Sequence, residues 1–171
     1  FDSSYGISNS GKNISMIGGA ASSIIQNCTF KNTEVNAHGL GNFDISADNG
    51  GLPVIDNCTF DNALGVINDG TAYSSIINST IINCPSGFDI YGSINILNCL
   101  FINNKIKGIM RPDNDPFILS FSPALNVGVG TVNVYNSIFW NNTDYYNIKK
   151  NIHLYENGNV NLYNCILEGG K

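Results

Sequence analysis

Charge is what this 171-residue chain has least of: Asp, Glu, Lys and Arg together make up 12%, against about 25% in an average soluble domain. Eight Lys and Arg stand against thirteen Asp and Glu, a net charge of −5, which gives no basic footprint for nucleic acid. Long apolar runs are missing as well, and none approaches the ~18–20 residues of a membrane-spanning helix. Alanine and long charged side chains are sparse while Ile, Val, Thr, Tyr and Phe abound, so the composition disfavours helices and points to strands. Five cysteines, few and odd in number and without a Cys-x-x-Cys pair, make neither a disulfide framework nor a zinc site. The chain is nonetheless 43% hydrophobic and 11% aromatic, too apolar for a disordered segment. It starts at Phe1, so any targeting segment is expected to have been removed already.

Asparagine fills the place of charge, at about one residue in six, and much of it belongs to a repeat. Four cysteines follow an asparagine: Asn27-Cys28, Asn57-Cys58, Asn98-Cys99 and Asn164-Cys165. Aligning on these pairs brings in two serine copies, Asn78-Ser79 and Asn136-Ser137. Each copy opens on an aliphatic residue (Ile25, Ile55, Ile76, Ile96, Val134, Leu162), and its sixth residue is Phe, Ile or Leu. Its eighth is Asn or Gly: Asn32, Asn62, Asn83, Asn103, Asn141 and Gly169. Successive third-column asparagines are 30, 21, 20, 38 and 28 residues apart. A basic period near 20 with insertions at fixed places is the signature of a solenoid.

The chemistry of the columns says how a copy folds. Strand alternation puts Val132, Val134, Ser137 and Phe139 inside and Asn133, Tyr135 and Ile138 outside, provided Asn136 turns a corner that resets the phase. Asparagine tolerates the left-handed backbone such a corner needs. Stacked at the ~4.8 Å strand spacing, its amide can bond to copies above and below. Asn27, Asn57, Asn78, Asn98, Asn136 and Asn164 are therefore expected to form an asparagine ladder. A third strand per coil is expected at Gly39-Leu40, Gly65-Val66, Gly87-Phe88, Gly108-Ile109 and Ile152-His153-Leu154. The predicted fold is all-β: one domain over residues 1–171, a right-handed parallel β-helix of about six rungs, or seven if Asn13–Met16 adds one. A long insertion is expected near 111–130.

These copies resemble the parallel β-helix repeats of pectate-lyase-like proteins. The Asn-Cys-Thr-Phe-x-Asn wording, with Gly18-Gly19-Ala20 upstream, is also similar to bacterial and archaeal adhesin-like proteins and polymorphic outer-membrane proteins. The resemblance implies a secreted or cell-surface microbial protein that acts as a non-catalytic stalk or binding domain for a glycan or host-surface ligand. The last motif ends four residues before Lys171 without a polar cap, which a solenoid needs. Further rungs or neighbouring subunits are thus expected at the ends, in a segment of a longer protein.

An enzyme is the alternative, because many carbohydrate-active enzymes use this fold, although fold alone licenses no function. The Gly-His-Gly and paired-aspartate pattern of pectinolytic hydrolases is absent: His38 follows Ala37, and His153 lies between Ile152 and Leu154. A polysaccharide lyase acting on uronate glycans needs a base and charge neutralisation, for which Lys105, Lys107 and Arg111 are the candidates. Solvated corner residues are the favoured reading of all three. Asp113 and Asp115 supply hard oxygen ligands for calcium but match no complete spacing motif, as does Asp44…Asp48-Asn49-Gly50, and ordinary turns are favoured there. Cys28, Cys58, Cys99 and Cys165 read as small buried thiols, whereas Cys84, off their column, is expected to be the accessible one.

The outward columns turn from polar to apolar along the chain, ending in Tyr135, Ile138, Trp140, Tyr163 and Ile166. A contiguous exposed apolar flank marks an interface. Two explanations compete. Internal cover by Phe117-Ile118-Leu119, Phe121 and Leu125 of the insertion is favoured; the other is a partner surface, with Tyr135, Trp140 and Tyr163 as an aromatic strip for sugar rings.

Overall fold

In the computed structural model, residues 7–9, 24–32, 45–48, 54–63, 66–69, 74–85, 87–106, 108–110, 116–118 and 124–169 are described. They form an all-β structure of parallel sheets, with no helix among the described residues. A three-strand unit recurs six times along the chain. Its first strand is Ile24–Gln26, Val54–Asp56, Ser74–Ile77 or Ile94–Leu97, then the second halves of the long strands Leu125–Tyr135 and Ile152–Tyr163. Its second strand is Thr29–Lys31, Thr59–Asp61, Thr80–Ile82, Leu100–Ile102, Ile138–Trp140 or Ile166–Leu167. The third stack holds Ile7–Asn9, Ile45–Asp48, Val66–Asp69 and Phe88–Ile90, followed by the first halves of the same two long strands. Every contact within a stack is parallel and pairs equivalent columns, as in Leu100↔Thr80 and Leu100↔Ile138. Such stacking is compatible with a β-solenoid.

Both corners of the motif are left-handed. The third-column asparagines have φ between 49° (Asn136) and 57° (Asn27). The eighth column does the same at Asn32, Asn62, Asn83, Asn103 and Asn141, with Gly169 at φ 72°. Among the described residues every non-glycine with positive φ is an asparagine, as expected for the side chain that best tolerates this region. Amide ladders run along both corners. Asn57 donates to Asn27 (2.6 Å), Asn98 to Asn78 (3.1 Å), Asn136 to Asn98 (3.3 Å) and Asn164 to Asn136 (3.4 Å). At the other corner Asn62 donates to Asn32 (3.1 Å) and Asn141 to Asn103 (2.8 Å). Between the second and third copies each ladder steps sideways onto an aspartate: Asn78 donates to Asp56 and Asn83 to Asp61.

The Cys/Ser column is also explained. Cys28, Cys58, Cys99 and Cys165 each donate S–H to the carbonyl two residues back, at 3.2–3.3 Å. Ser79 and Ser137 make the same bond at 2.8 Å. From the second copy onward that carbonyl also accepts the corner asparagine N–H of the preceding copy, as Asp56 does from Asn27 and Tyr135 from Asn98, so the small side chain adds a second bond, and a hydroxyl serves as well as a thiol.

Inside, Phe30 stacks on Phe60 (4.8 Å between ring centroids) and Phe101 on Phe139 (4.6 Å). Ile81 interrupts this column, and Phe88 from the third stack spans the gap edge-on, 5.4 Å from Phe60 and 5.6 Å from Phe101. All five rings are fully buried. The expected inward set of Val132, Val134, Ser137 and Phe139 is buried too.

Three expectations need correction. Gly108–Met110 does not join the third stack; it pairs antiparallel with Pro116–Ile118 as a hairpin. The third-stack strand of that coil is Leu125–Val127, in register with Phe88–Ile90, so the insertion lies between Ile106 and Ala124. Leu125 is consequently core rather than cover. Cys84 is fully buried, because it follows the second corner as Cys99 follows the first. Its column continues as Asn104 and Asn142, which are buried and joined by a 2.9 Å amide bond. Gly39-Leu40 and Asn13–Met16 lie outside the described residues.

Candidate functional site

Two outward surfaces carry chemistry. The first lies around the first corner at the last two copies. In-register pairing of Tyr135 with Tyr163 stacks their rings at 4.7 Å and 10°. Trp140, five residues past Tyr135 on the next strand, is 50% exposed, with Tyr163 at 45% and Ile166 at 53%. The side chains of Phe117 and Ile118, and residues Leu119 and Phe121, on which the expected internal cover rests, lie outside what is described. A stacked ring pair in fixed register, with Tyr135 half-buried and Tyr163 exposed, is a flat platform of low conformational entropy, suited to stacking on a ligand ring.

At the edge of this surface Glu168 closes the second corner. Its carboxylate takes the Lys149 ammonium and the backbone N–H of Asn141, while Asn151 donates to its carbonyl. The Lys149 contact, with the Asn141 N–H second, holds the Glu168 carboxyl below the usual carboxylate range.

The second surface is on the third stack and was not singled out from the sequence. Asp89, Asn126 and His153 stand in one register line across three copies. Asn126 Nδ2 donates to Asp89 Oδ1 at 2.6 Å. Two residues on from Asp89, the Tyr91 ring lies 6.3 Å from that of Tyr155 at a 30° tilt, and His153 meets Tyr155 edge-on at 4.8 Å. Gly128 makes this possible: a Cβ there would fall 2.3 Å from the Tyr91 ring, so only glycine leaves room for the ring to lie across the middle copy. The strand opposite is bulged at the same level, with the register slipping from Val127↔Leu154 to Val129↔Asn157. Bulges of this kind re-aim side chains and occur often at functional sites.

The electrostatics match a desolvated acid. Burial pushes the Asp89 carboxyl from the usual 3.8 up to about 6, and the Asn126 amide pulls the other way. Burial, with Tyr91 and Asp89 nearby, raises Tyr155 to about 12. Burial and then the Lys150 charge lower His153, favouring a neutral imidazole. Perturbed acids grouped with aromatics are a physical marker of a binding site. The sequence signal that was there is the alternation Asp89-x-Tyr91 over His153-x-Tyr155. It becomes legible only once the third-stack register is known.

The other candidates are not brought together. Lys105 is exposed and bridges Thr143 through its backbone; Lys107, Arg111, Asp113 and Asp115 lie outside the described residues. Among the described residues no three His, Cys, Asp or Glu are grouped to hold a metal ion. Nor is any helix there long and apolar enough to cross a membrane. Comparison of the chain with protein-family models, curated proteins and solved structures gave no match.

Proposed function

We propose that this chain is a right-handed parallel β-helix of the pectate-lyase-like kind. In this reading it is a non-catalytic binding segment of a secreted or surface-displayed, adhesin-like microbial protein. Right-handedness follows the general rule for parallel crossovers. The observations that carry the binding role are the stacked, in-register ring pair of Tyr135 and Tyr163, its outer ring exposed, and the exposed Trp140 on the following strand. Its ligand is a glycan whose sugar rings stack on those faces, reached without lids or chemistry.

Affinity electrophoresis through gels containing neutral or uronate polysaccharides tests this. The intact chain is retarded by at least one polysaccharide, and Trp140→Ala and Tyr163→Ala lose the retardation while keeping the parent circular dichroism. Unretarded migration in every polysaccharide, or equal retardation of both variants, contradicts the proposal. The lyase alternative rests on Lys105, Lys107 and Arg111 and predicts release of unsaturated uronate products that Lys107→Ala abolishes.

A further inference from the structure

We propose that Cys28 and Cys58 form a dithiol modification site, which a small-molecule disulfide of the glutathione class oxidises to a reversible covalent bond between the first two copies. This site is separate from the Tyr135 platform and does not depend on the glycan reading.

The register brings the two thiols together. Gln26 pairs with Asp56 and Thr29 with Thr59, so Cys28 and Cys58 hold the same corner position on adjacent copies. Backbone bonds pin that position on both sides: Asn27 N–H donates to the Asp56 carbonyl at 3.1 Å, and Thr59 N–H to the Cys28 carbonyl at 2.9 Å. One strand spacing, ~4.8 Å, falls inside the roughly 4.4–6.8 Å that separates the Cα atoms of bonded cysteines. The Cys58 sulfur is in hydrogen-bonding contact with both the thiol and the backbone of Cys28. No other two cysteines are placed in this way. Cys99 lies between Ser79 and Ser137, and Cys165 follows Ser137. Cys84 stands in its own column, with Ala63 before it and Asn104 after it.

Serine does the structural work of this corner at Ser79 and Ser137, so packing does not call for two thiols in succession. Their exposure divides the roles. Cys28 is partly exposed and meets the oxidant, whereas Cys58 is 1% exposed and burial holds it toward its protonated thiol. Cys28 Sγ, losing its proton to solvent, attacks the small disulfide; one glutathione leaves as thiolate and takes up a proton, and a mixed disulfide remains on Cys28. Cys58 Sγ then attacks Cys28 Sγ and expels the second glutathione, which leaves with the proton that Cys58 gives up. Two protein thiols are oxidised and one glutathione disulfide is reduced to two thiols. Closing the bond draws the Cβ atoms from strand spacing to within about 4.5 Å. Ile24–Gln26 and Thr29–Lys31 end their sheets among the described residues, so the first copy is held on one side only and can make that shift. A bond that needs such a shift is readily reduced again, and while it lasts it ties the end copy to its neighbour.

The test incubates the intact, folded chain with oxidised glutathione at pH 8, quenches with acid at intervals and maps the cysteines by peptide mass. Glutathione appears on Cys28 transiently and gives way to a Cys28–Cys58 bond, which dithiothreitol reverses. Cys165, partly exposed but stacked on Ser137, stops at the glutathione adduct, while Cys84 and Cys99 stay reduced. In Cys58→Ser, a residue the column already accepts, the adduct on Cys28 lives at least about tenfold longer, because its intramolecular partner is gone. A stable adduct on Cys28 beside a reduced Cys58, a bond between any other two cysteines, or a Cys28 that does not react overturns the proposal. So does an adduct that fades as fast in Cys58→Ser as in the intact chain.

Discussion

Replacing Asp89 by asparagine should stabilise the protein, and only above mildly acidic pH. The carboxyl rises from the usual 3.8 to about 6 on folding. A raised folded value means that the folded state holds the proton more tightly than the unfolded state between these two limits. Stability is then unpenalised below about pH 3.8, falls as pH rises through about 6, and levels off above. At 1.36 kcal/mol per pKa step the full penalty is on the order of 3 kcal/mol. Asparagine is the clean substitution, since its carboxamide oxygen can still accept the Asn126 amide at the Oδ1 position. For a chain of this size ~3 kcal/mol corresponds to roughly 6–12 °C in Tm. The assay is thermal or urea unfolding of both forms from pH 3.5 to 8. The two stability curves meet at the acid end and separate through the range around pH 5. Curves that run parallel, or a variant less stable at pH 7.5, would refute the picture of a desolvated acid.

Two further predictions concern the repeat. Asn98 serves the corner through its φ of 53° and the ladder through amide bonds to Asn78 and Asn136. Asn98→Gly keeps the backbone freedom and loses the ladder bonds, costing about 1–2 kcal/mol by urea unfolding. Asn98→Ala adds left-handed strain and costs roughly 1–2 kcal/mol more; equal losses would mean the corner is not left-handed. Thiol labelling at pH 8 should distinguish the cysteines. Cys28 and Cys165 are partly exposed, whereas Cys58, Cys84 and Cys99 are buried, with burial pushing Cys99 up to about 11 and Cys58 in the same direction. Labelling followed by peptide mass analysis should find Cys28 and Cys165 modified first, and Cys58, Cys84 and Cys99 only on unfolding. Early modification of Cys84 would contradict its place in the core.

The motif was legible because each of its columns does one physical job. Asn136 turns a corner, Ser137 adds a bond to the carbonyl beside it, and Phe139 fills the interior, so the sequence repeats what the backbone repeats. The second corner was half legible: its asparagines aligned, yet the buried column behind them was hidden because Ala63, Cys84, Asn104 and Asn142 differ in chemistry while sharing a position. The third stack was the weakest point. Its strands follow turns of variable length, and glycine marked Val66 and Phe88 correctly but also marked Gly108, which begins a hairpin. Since Asp89, Tyr91, His153 and Tyr155 depend on that stack for their alignment, their grouping could not be read without it. The exposed platform was legible as a set of aromatics, but whether anything lay over them was a tertiary question.

Six copies of one motif stack in register, one strand spacing apart. Spin labels at Gln26 and Tyr163, the same outward column in the first and last copies, measure it directly. The native thiols would be replaced, the four of the motif column by serine, as at Ser79 and Ser137, and Cys84 by alanine, as its own column has at Ala63. Five steps of ~4.8 Å place the labelled backbone sites about 24 Å apart, and pulsed dipolar spectroscopy should return a single narrow distribution near that value. A broad distribution, or a separation far from it, would contradict in-register stacking of the copies.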